Sequence, residues 1–312
     1  MRDDADRPDL GRRAALECMA WAGTGLLWTL VGGVPVSRLI TSAQAAEETG
    51  FSFVHMSDSH IGFSKPANPD ALGTLKEAID QIRVLPEKPA FIIHTGDISH
   101  LSKPGEFDDA EQVIGSTKLE AHFVPGEHDI IDETNGKAYL ERFGKKARGA
   151  GWYSFDQAGV HFIGLVNVVD LKAGGMGNLG AEQLAWLADD LNGRAASQPI
   201  VVFSHIPLWI VYPEWGWGTQ DGAQALSLLA RFGSVTVLNG HIHQLMQKVE
   251  GNLTFHTAMS TAFPQPAPGS APSPGPKLVP AEQLRSVLGF SSVTFARGKE
   301  KIAIVDRRLA RS

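Results

Sequence analysis

Five short pieces of this chain each follow an apolar run, and each carries side chains that bind divalent cations. Asp58-Ser59-His60 follows residues 51–57, and Gly96-Asp97 follows 90–95. Gly126-Glu127-His128-Asp129 follows 122–124, His205 follows 200–204, and Gly240-His241-Ile242-His243 follows 235–238. Together they offer four carboxylates and five imidazoles, a donor set that suits zinc, iron, manganese or nickel. The single cysteine, Cys18, lies far upstream, so no thiolate joins them. In Asp-x-His and His-x-His, two ligands two residues apart can grip one ion or two adjacent ions where the chain leaves a strand as a turn. Gly96, Gly126 and Gly240 let the backbone turn sharply and approach closely.

The elements that must position these side chains alternate. The runs at 51–57, 90–95, 122–124, 160–166, 200–204 and 235–238 are nearly continuous in apolar residues, as strands buried on both faces are. Between them, Ala71, Leu72, Leu75, Ala78, Ile79 and Ile82 have helical spacing after Pro69, read as a first-turn residue. Leu184, Leu187 and Leu191 after Gly180, and Leu226, Leu229 and Ala230, suggest two more helices. Late strands at 253–257, 291–295 and 302–305 make two sheets possible. The class is α/β, in which ligands gather at the carboxyl ends of strands. Each piece alone is weak, but five in this order, each after an apolar strand, point to one metal site. His55, His94, His100, His122, His161 and His256 read as core or surface residues. His100 stands apart, because it lies three residues past Asp97.

The ordered set resembles the calcineurin-like metallophosphoesterases over about residues 51–260, and within them the branch of class III cyclic-nucleotide phosphodiesterases. The resemblance implies a four-layer α-β-β-α sandwich and two divalent or trivalent ions, with iron, manganese or zinc expected. By motif position, Asp58, His60 and His243 would hold the first ion, Asp97 would bridge, and His205 and His241 would hold the second. His128 would protonate the leaving oxygen, with Asp129 orienting its ring. The family motif reads Gly-Asn-His, whereas Glu127 stands here where the Asn amide oxygen binds the second ion. Glutamate can ligate through oxygen, is one methylene longer and adds a negative charge. Ligation is expected, with a tighter hold on the second ion and weaker activation of the bridging water; the alternative is that Glu127 turns away and leaves that site weak.

The implied reaction is hydrolysis of a phosphodiester or phosphomonoester by metal-bridged hydroxide, with His128 as general acid. Pyrophosphate or phospholipid-headgroup hydrolysis are alternatives, as is a catalytically silent metal-binding protein spoiled by Glu127. The expected partner is a small phosphorylated substrate. A net charge of −6 argues against coating nucleic acid, and 43% hydrophobic with 20% charged residues excludes a disordered or multi-span membrane chain.

Residues 1–45 read as an export signal: Arg12-Arg13, then 19 uncharged residues at 18–36, then Ala43-Gln44-Ala45 as a cleavage site. The paired arginines resemble a twin-arginine signal and imply a periplasmic or exported protein. An uncleaved N-terminal membrane anchor is the competing reading, and otherwise no membrane contact is expected. Residues 46–312 would form a single domain. Seven prolines within 264–280 exclude helix and central strand there, leaving a surface loop or a rim beside the chemistry. Trp209, Tyr212, Trp215 and Trp217 read either as a hydrophobic plug or as a substrate platform.

Overall fold

The computed structural model describes residues 24–31, 34–41 and 50–310, except 135, 146 and 297–300. Two strands, β1 (Thr24–Val31) and β2 (Val34–Thr41), pair as an antiparallel ribbon within the segment read as an export signal. Arg12-Arg13 and Ala43-Gln44-Ala45 lie outside the described residues.

From Gly50 onward the chain alternates as its apolar runs require. In order come β3 (Gly50–Met56), α1 (Ala71–Arg83), β4 (Phe91–His94), α2 (Pro104–Gly115), β5 (Glu120–Phe123), α3 (Lys137–Phe143), β6 (Tyr153–Gln157) and β7 (Val160–Gly164). Then follow α4 (Ala181–Leu191), β8 (Ile200–Ser204), α5 (Gly222–Leu229), β9 (Val235–Asn239), β10 (Gln247–Glu250), β11 (Leu253–Thr257), α6 (Ala281–Val287), β12 (Gly289–Ala296) and β13 (Lys301–Arg308). One sheet has the order β13-β12-β3-β4-β5 and the other β10-β11-β9-β8-β7-β6. The central neighbours β3-β4-β5 and β7-β8-β9-β11 run parallel, so their carboxyl ends share an edge.

Each strand face buries against a different layer, because successive side chains point to opposite sides. Phe53, Ile93, Val201, Phe203 and Leu238 meet between the sheets. There Phe53 stacks on Phe91 at 5.0 Å and Phe155 on Phe162 at 4.8 Å, pairs worth about 0.5–1.5 kcal/mol beyond their burial. Val54, Met56 and Ile92 face outward onto α1 and α2, while Ile200, Val202, Val235 and Val237 face α4 and α5. The result is the four-layer α-β-β-α sandwich. One local reading needs correction. Pro69 precedes the first helix: Asp70 is the N-cap, its Oδ1 accepting the Gly73 N–H at 2.8 Å, which contributes about 1 kcal/mol. Strands β6 and β10 and helices α2, α3 and α6 add to the elements expected from sequence; α2 buries Phe107, Ala110, Val113 and Ile114 on one face. None of the described helices is long and apolar enough to cross a membrane.

Candidate metal centre

Eight described residues other than glycine have positive φ, and five of them are Asp58 (53°), His60 (40°), Asp97 (53°), His241 (71°) and His243 (51°). Left-handed backbone costs an ordinary residue about 1–2 kcal/mol, so five such turns at one sheet edge are strain held by the surrounding structure. The glycines permit the crowding. A Cβ on Gly126 would lie 2.1 Å from Asp97 Oδ1, and one on Gly240 would lie 2.6 Å from Asp58 Oδ2.

The seven expected ligands converge. His243 Nε2 is 3.2 Å from both Asp58 Oδ1 and His60 Nε2. Glu127 reaches the second group: Oε2 is 2.9 Å from His205 Nε2 and Oε1 is 3.0 Å from His241 Nδ1. Asp97 Oδ2 stands between the groups, 3.4 Å from His60 Nε2 and 3.4 Å from His205 Nε2. Asp58, His60 and His243 therefore form one set able to hold an ion, and Glu127, His205 and His241 another.

The protein atoms themselves demand positive charge at this place. His205 Nδ1 donates to the Thr95 carbonyl at 2.6 Å, and His243 Nδ1 donates to the Phe263 carbonyl at 2.6 Å. These bonds fix both rings and turn each Nε2 towards carboxylate oxygens, the arrangement in which a ligating histidine is held from behind. Burial alone would lower the proton affinity of His205, yet Asp97 and Glu127 outweigh it and hold its pKa well above the usual value. Burial would raise the Asp58 pKa, but His243, His205 and His60 draw it well below the usual carboxylate range. Glu127 is drawn down in the same way, by His241 and His205 against its burial. Burial keeps His60 neutral despite Asp97. His241 Nε2 is buried without a protein hydrogen-bond partner. Divalent cations satisfy this donor set, since imidazole and carboxylate both suit them.

His128 lies beside Asp97 and Glu127, and its backbone N–H donates to Asp97 Oδ1 at 2.9 Å. Its ring is not oriented by Asp129, contrary to the family-based expectation. His128 Nδ1 donates to the His100 carbonyl at 2.8 Å, and the two rings stack at 4.9 Å. The Asp129 carboxylate is already filled by the backbone N–H groups of Ile98 (3.1 Å), Ser99 (2.8 Å) and Gly126 (3.0 Å) and by the Ser99 hydroxyl (2.9 Å). Burial and the charge of Asp97 push its pKa up to about 7 against those donors. Asp129 thus ties the Asp97 turn to the His128 turn. Burial lowers the His128 pKa, but Asp97 and Glu127 outweigh it and the net shift is upward, which favours a protonated ring. Burial and neighbouring His128 lower His100 to about 4.

His100 is thus part of the site, and its spacing from Asp97 was the one signal for it. Phe263 had none: its ring stacks on His60 at 4.7 Å while its carbonyl holds His243. The start of the proline-rich segment is a rim of the centre, because Gln265 Nε2 donates to the His241 carbonyl at 3.0 Å; residues 267–270 are exposed. The remaining histidines read as structural do have structural partners, such as Thr95 for His55 and Asp190 for His161.

The tryptophan segment is a plug. Trp217 is fully buried against Ile242, between the two ligands His241 and His243, and Trp209 packs on Phe255 at 4.8 Å. Trp217→Ala is expected to cost about 3–5 kcal/mol and to lower the melting temperature by roughly 10 °C, with KM little changed. Calorimetry beside steady-state kinetics checks this; a KM rise without a melting loss would restore the platform.

Comparison with known proteins agrees with this geometry. The chain is 26% identical over 226 residues to a glycerophosphodiester phosphodiesterase of Enterobacter lignolyticus, covering 68% of this chain and 78% of that one. It is 24% identical over 225 residues to a 3',5'-cyclic-nucleotide phosphodiesterase of Nostoc, covering 70% and 80%. Among solved structures, a dimetal phosphatase from Danio rerio superposes with a TM-score of 0.60 at 15% identity, covering 84% of this chain and 97% of that one. The model of the calcineurin-like phosphoesterases matches residues 51–245, and with the converging ligands it makes this chain a member of that family, a metal-dependent hydrolase of phosphate esters.

Proposed function

We propose that the chain hydrolyses a phosphodiester at a centre of two ions drawn from iron, manganese and zinc. Asp58, His60 and His243 would hold the first ion and Glu127, His205 and His241 the second, with Asp97 placed between the two sets. The observation that carries this reading is the place of Asp97 Oδ2, equidistant at 3.4 Å from one histidine of each ligand set. The names of the two phosphodiesterase relatives support a diester over a monoester.

Bound ions would supply a nucleophile from water at neutral pH and neutralise charge on the phosphate oxygens. The protein does the rest. His128, with Nδ1 committed to the His100 carbonyl, holds a proton at Nε2 and delivers it to the departing alkoxide oxygen. Asp97 holds the His128 backbone in register through its N–H, and Asp129 fixes the turn that carries both. The paired arginines and the Ala-x-Ala sequence support export through a twin-arginine signal to the periplasm, as an expectation of sequence.

Metal content per chain, measured with hydrolysis of bis-p-nitrophenyl phosphate against p-nitrophenyl phosphate, tests the proposal. Two ions per chain and faster diester turnover are expected; one ion, or monoester preference, would overturn it. Glu127→Asn extends the test. It removes a charge from the second set, so the second ion is expected to bind about 10–100-fold more weakly, while turnover at saturating metal is kept or raised. Unchanged metal affinity would mean that Glu127 does not ligate.

A further inference from the structure

Among the described residues, nine large hydrophobic side chains are exposed; Val84 caps the carboxyl end of α1 and Val249 lies in β10. The other seven sit on loops that leave the carboxyl ends of β4, β5, β7, β8, β9 and β11, strands that run parallel to their neighbours in the two sheets. Leu101 (44% exposed) follows His100, and Ile131 (55%) is held alongside it by its N–H to Ser102 Oγ at 3.1 Å. Val169 and Leu171 follow Asn167, whose Nδ2 donates to the carbonyl of Ile206, next to His205. Ile210 (51%) lies on the loop after His205, which packs on the Val169 loop where Gly175 meets Gly216. Leu245 is two residues past His243, and Leu278 (66%) follows Lys277, whose N–H donates to the Pro264 carbonyl at 2.8 Å.

Single exposed aliphatics are ordinary on a protein surface, but seven around one mouth are an interaction surface. The metal centre states what must enter there: a phosphate ester. Its apolar portion is then the group that the rim would cover. Phe63 and Phe263, stacked at 4.3 Å beside His60, continue the apolar character inward. Lys65, over the Phe63 ring, Lys103, Lys172 and Lys277 put cations on these loops, while Asp132, Glu133, Asp170 (paired with Lys172) and Glu214 balance them, so the rim is mixed in charge and not polybasic. The chemistry fits a zwitterionic lipid surface better than a strongly anionic one.

We infer that this face docks on a lipid layer and that the substrate is a phosphodiester bearing acyl chains, its phosphate at the metal centre and its chains among the rim aliphatics. This deepens the phosphodiesterase reading and rests on it. Hydrolysis transfers the phosphoryl group to water, breaking one P–O ester bond and forming another P–O bond, with the proton going to the leaving oxygen.

The experiment uses the full-length metal-loaded protein with phosphatidylcholine vesicles and with glycerophosphocholine, which present the same headgroup diester with and without acyl chains. Wild type is expected to sediment with vesicles and to favour the acylated substrate at least tenfold in kcat/KM. Each aliphatic removed should weaken vesicle partitioning about tenfold. The triple variant Ile131→Ser/Ile210→Ser/Leu245→Ser should therefore lose the preference while keeping its activity on bis-p-nitrophenyl phosphate. Preference for glycerophosphocholine, or vesicle sedimentation untouched by the triple variant, would overturn the inference. So would wild-type dimers that the triple variant converts to monomers without vesicle binding, since the rim would then be a self-association surface. Absence of bis-p-nitrophenyl phosphate hydrolysis would instead sink the phosphodiesterase reading itself, and vesicle sedimentation would still judge the rim.

Discussion

Asp97→Ala is expected to leave a folded protein with at most one ion per chain and activity reduced by at least about 10³-fold. The reason is position. Asp97 Oδ2 is the one carboxylate oxygen at 3.4 Å from a histidine of each ligand set, so its loss removes a donor from both. The same side chain spends its other oxygen on the His128 N–H at 2.9 Å, so alanine also frees the turn that carries His128, the proposed proton donor. Asp97→Asn separates the two effects: its amide oxygen can keep the contact to His128, while the charge that draws cations is gone. Metal analysis and circular dichroism on both variants check the result. Two ions retained in Asp97→Ala, with activity within tenfold of wild type, would show that the ligand sets are independent and that Asp97 does not bridge.

Much of this centre was legible in the chain, for a physical reason. Ligands that must leave parallel strands at one edge fall directly after apolar runs, so Asp58, Asp97, His205 and His241 are marked by their surroundings as well as their type. The layers were legible too, since strands buried on both faces, such as Val235–Asn239, show up as continuous apolar runs. What escaped was work done by the backbone. The Phe263 and Thr95 carbonyls that hold His243 and His205 have no sequence signature, because every residue has a carbonyl. Asp129 escaped for the opposite reason: a carboxylate beside a histidine looks like its partner, but four donors from neighbouring turns reach it first. Glu127 was ambiguous in sequence, since one more methylene could carry its carboxylate into the ligand set or out of it. The geometry places it against His205 and His241.

His128→Ala is expected to keep its metal yet lose about 10²–10⁴-fold on alkyl phosphodiesters, the usual worth of a positioned general acid. On p-nitrophenyl esters the loss should be about tenfold or less, because that leaving group departs as a stable anion and needs no proton. The ring is suited to the task by the His100 carbonyl at Nδ1 and by Asp97 and Glu127, whose charges raise its proton affinity against the effect of burial. Asp129→Ala gives the contrast. It strips acceptors from the N–H groups of Ile98, Ser99 and Gly126, each costing about 1–3 kcal/mol when left buried and unpaired. Its signature is therefore a large fall in melting temperature, with activity reduced evenly on good and poor leaving groups. A leaving-group dependence as steep as that of His128→Ala would return Asp129 to the role of orienting the ring. Equal losses on both ester classes in His128→Ala would remove that histidine from proton transfer and leave it a support of the Asp97 turn.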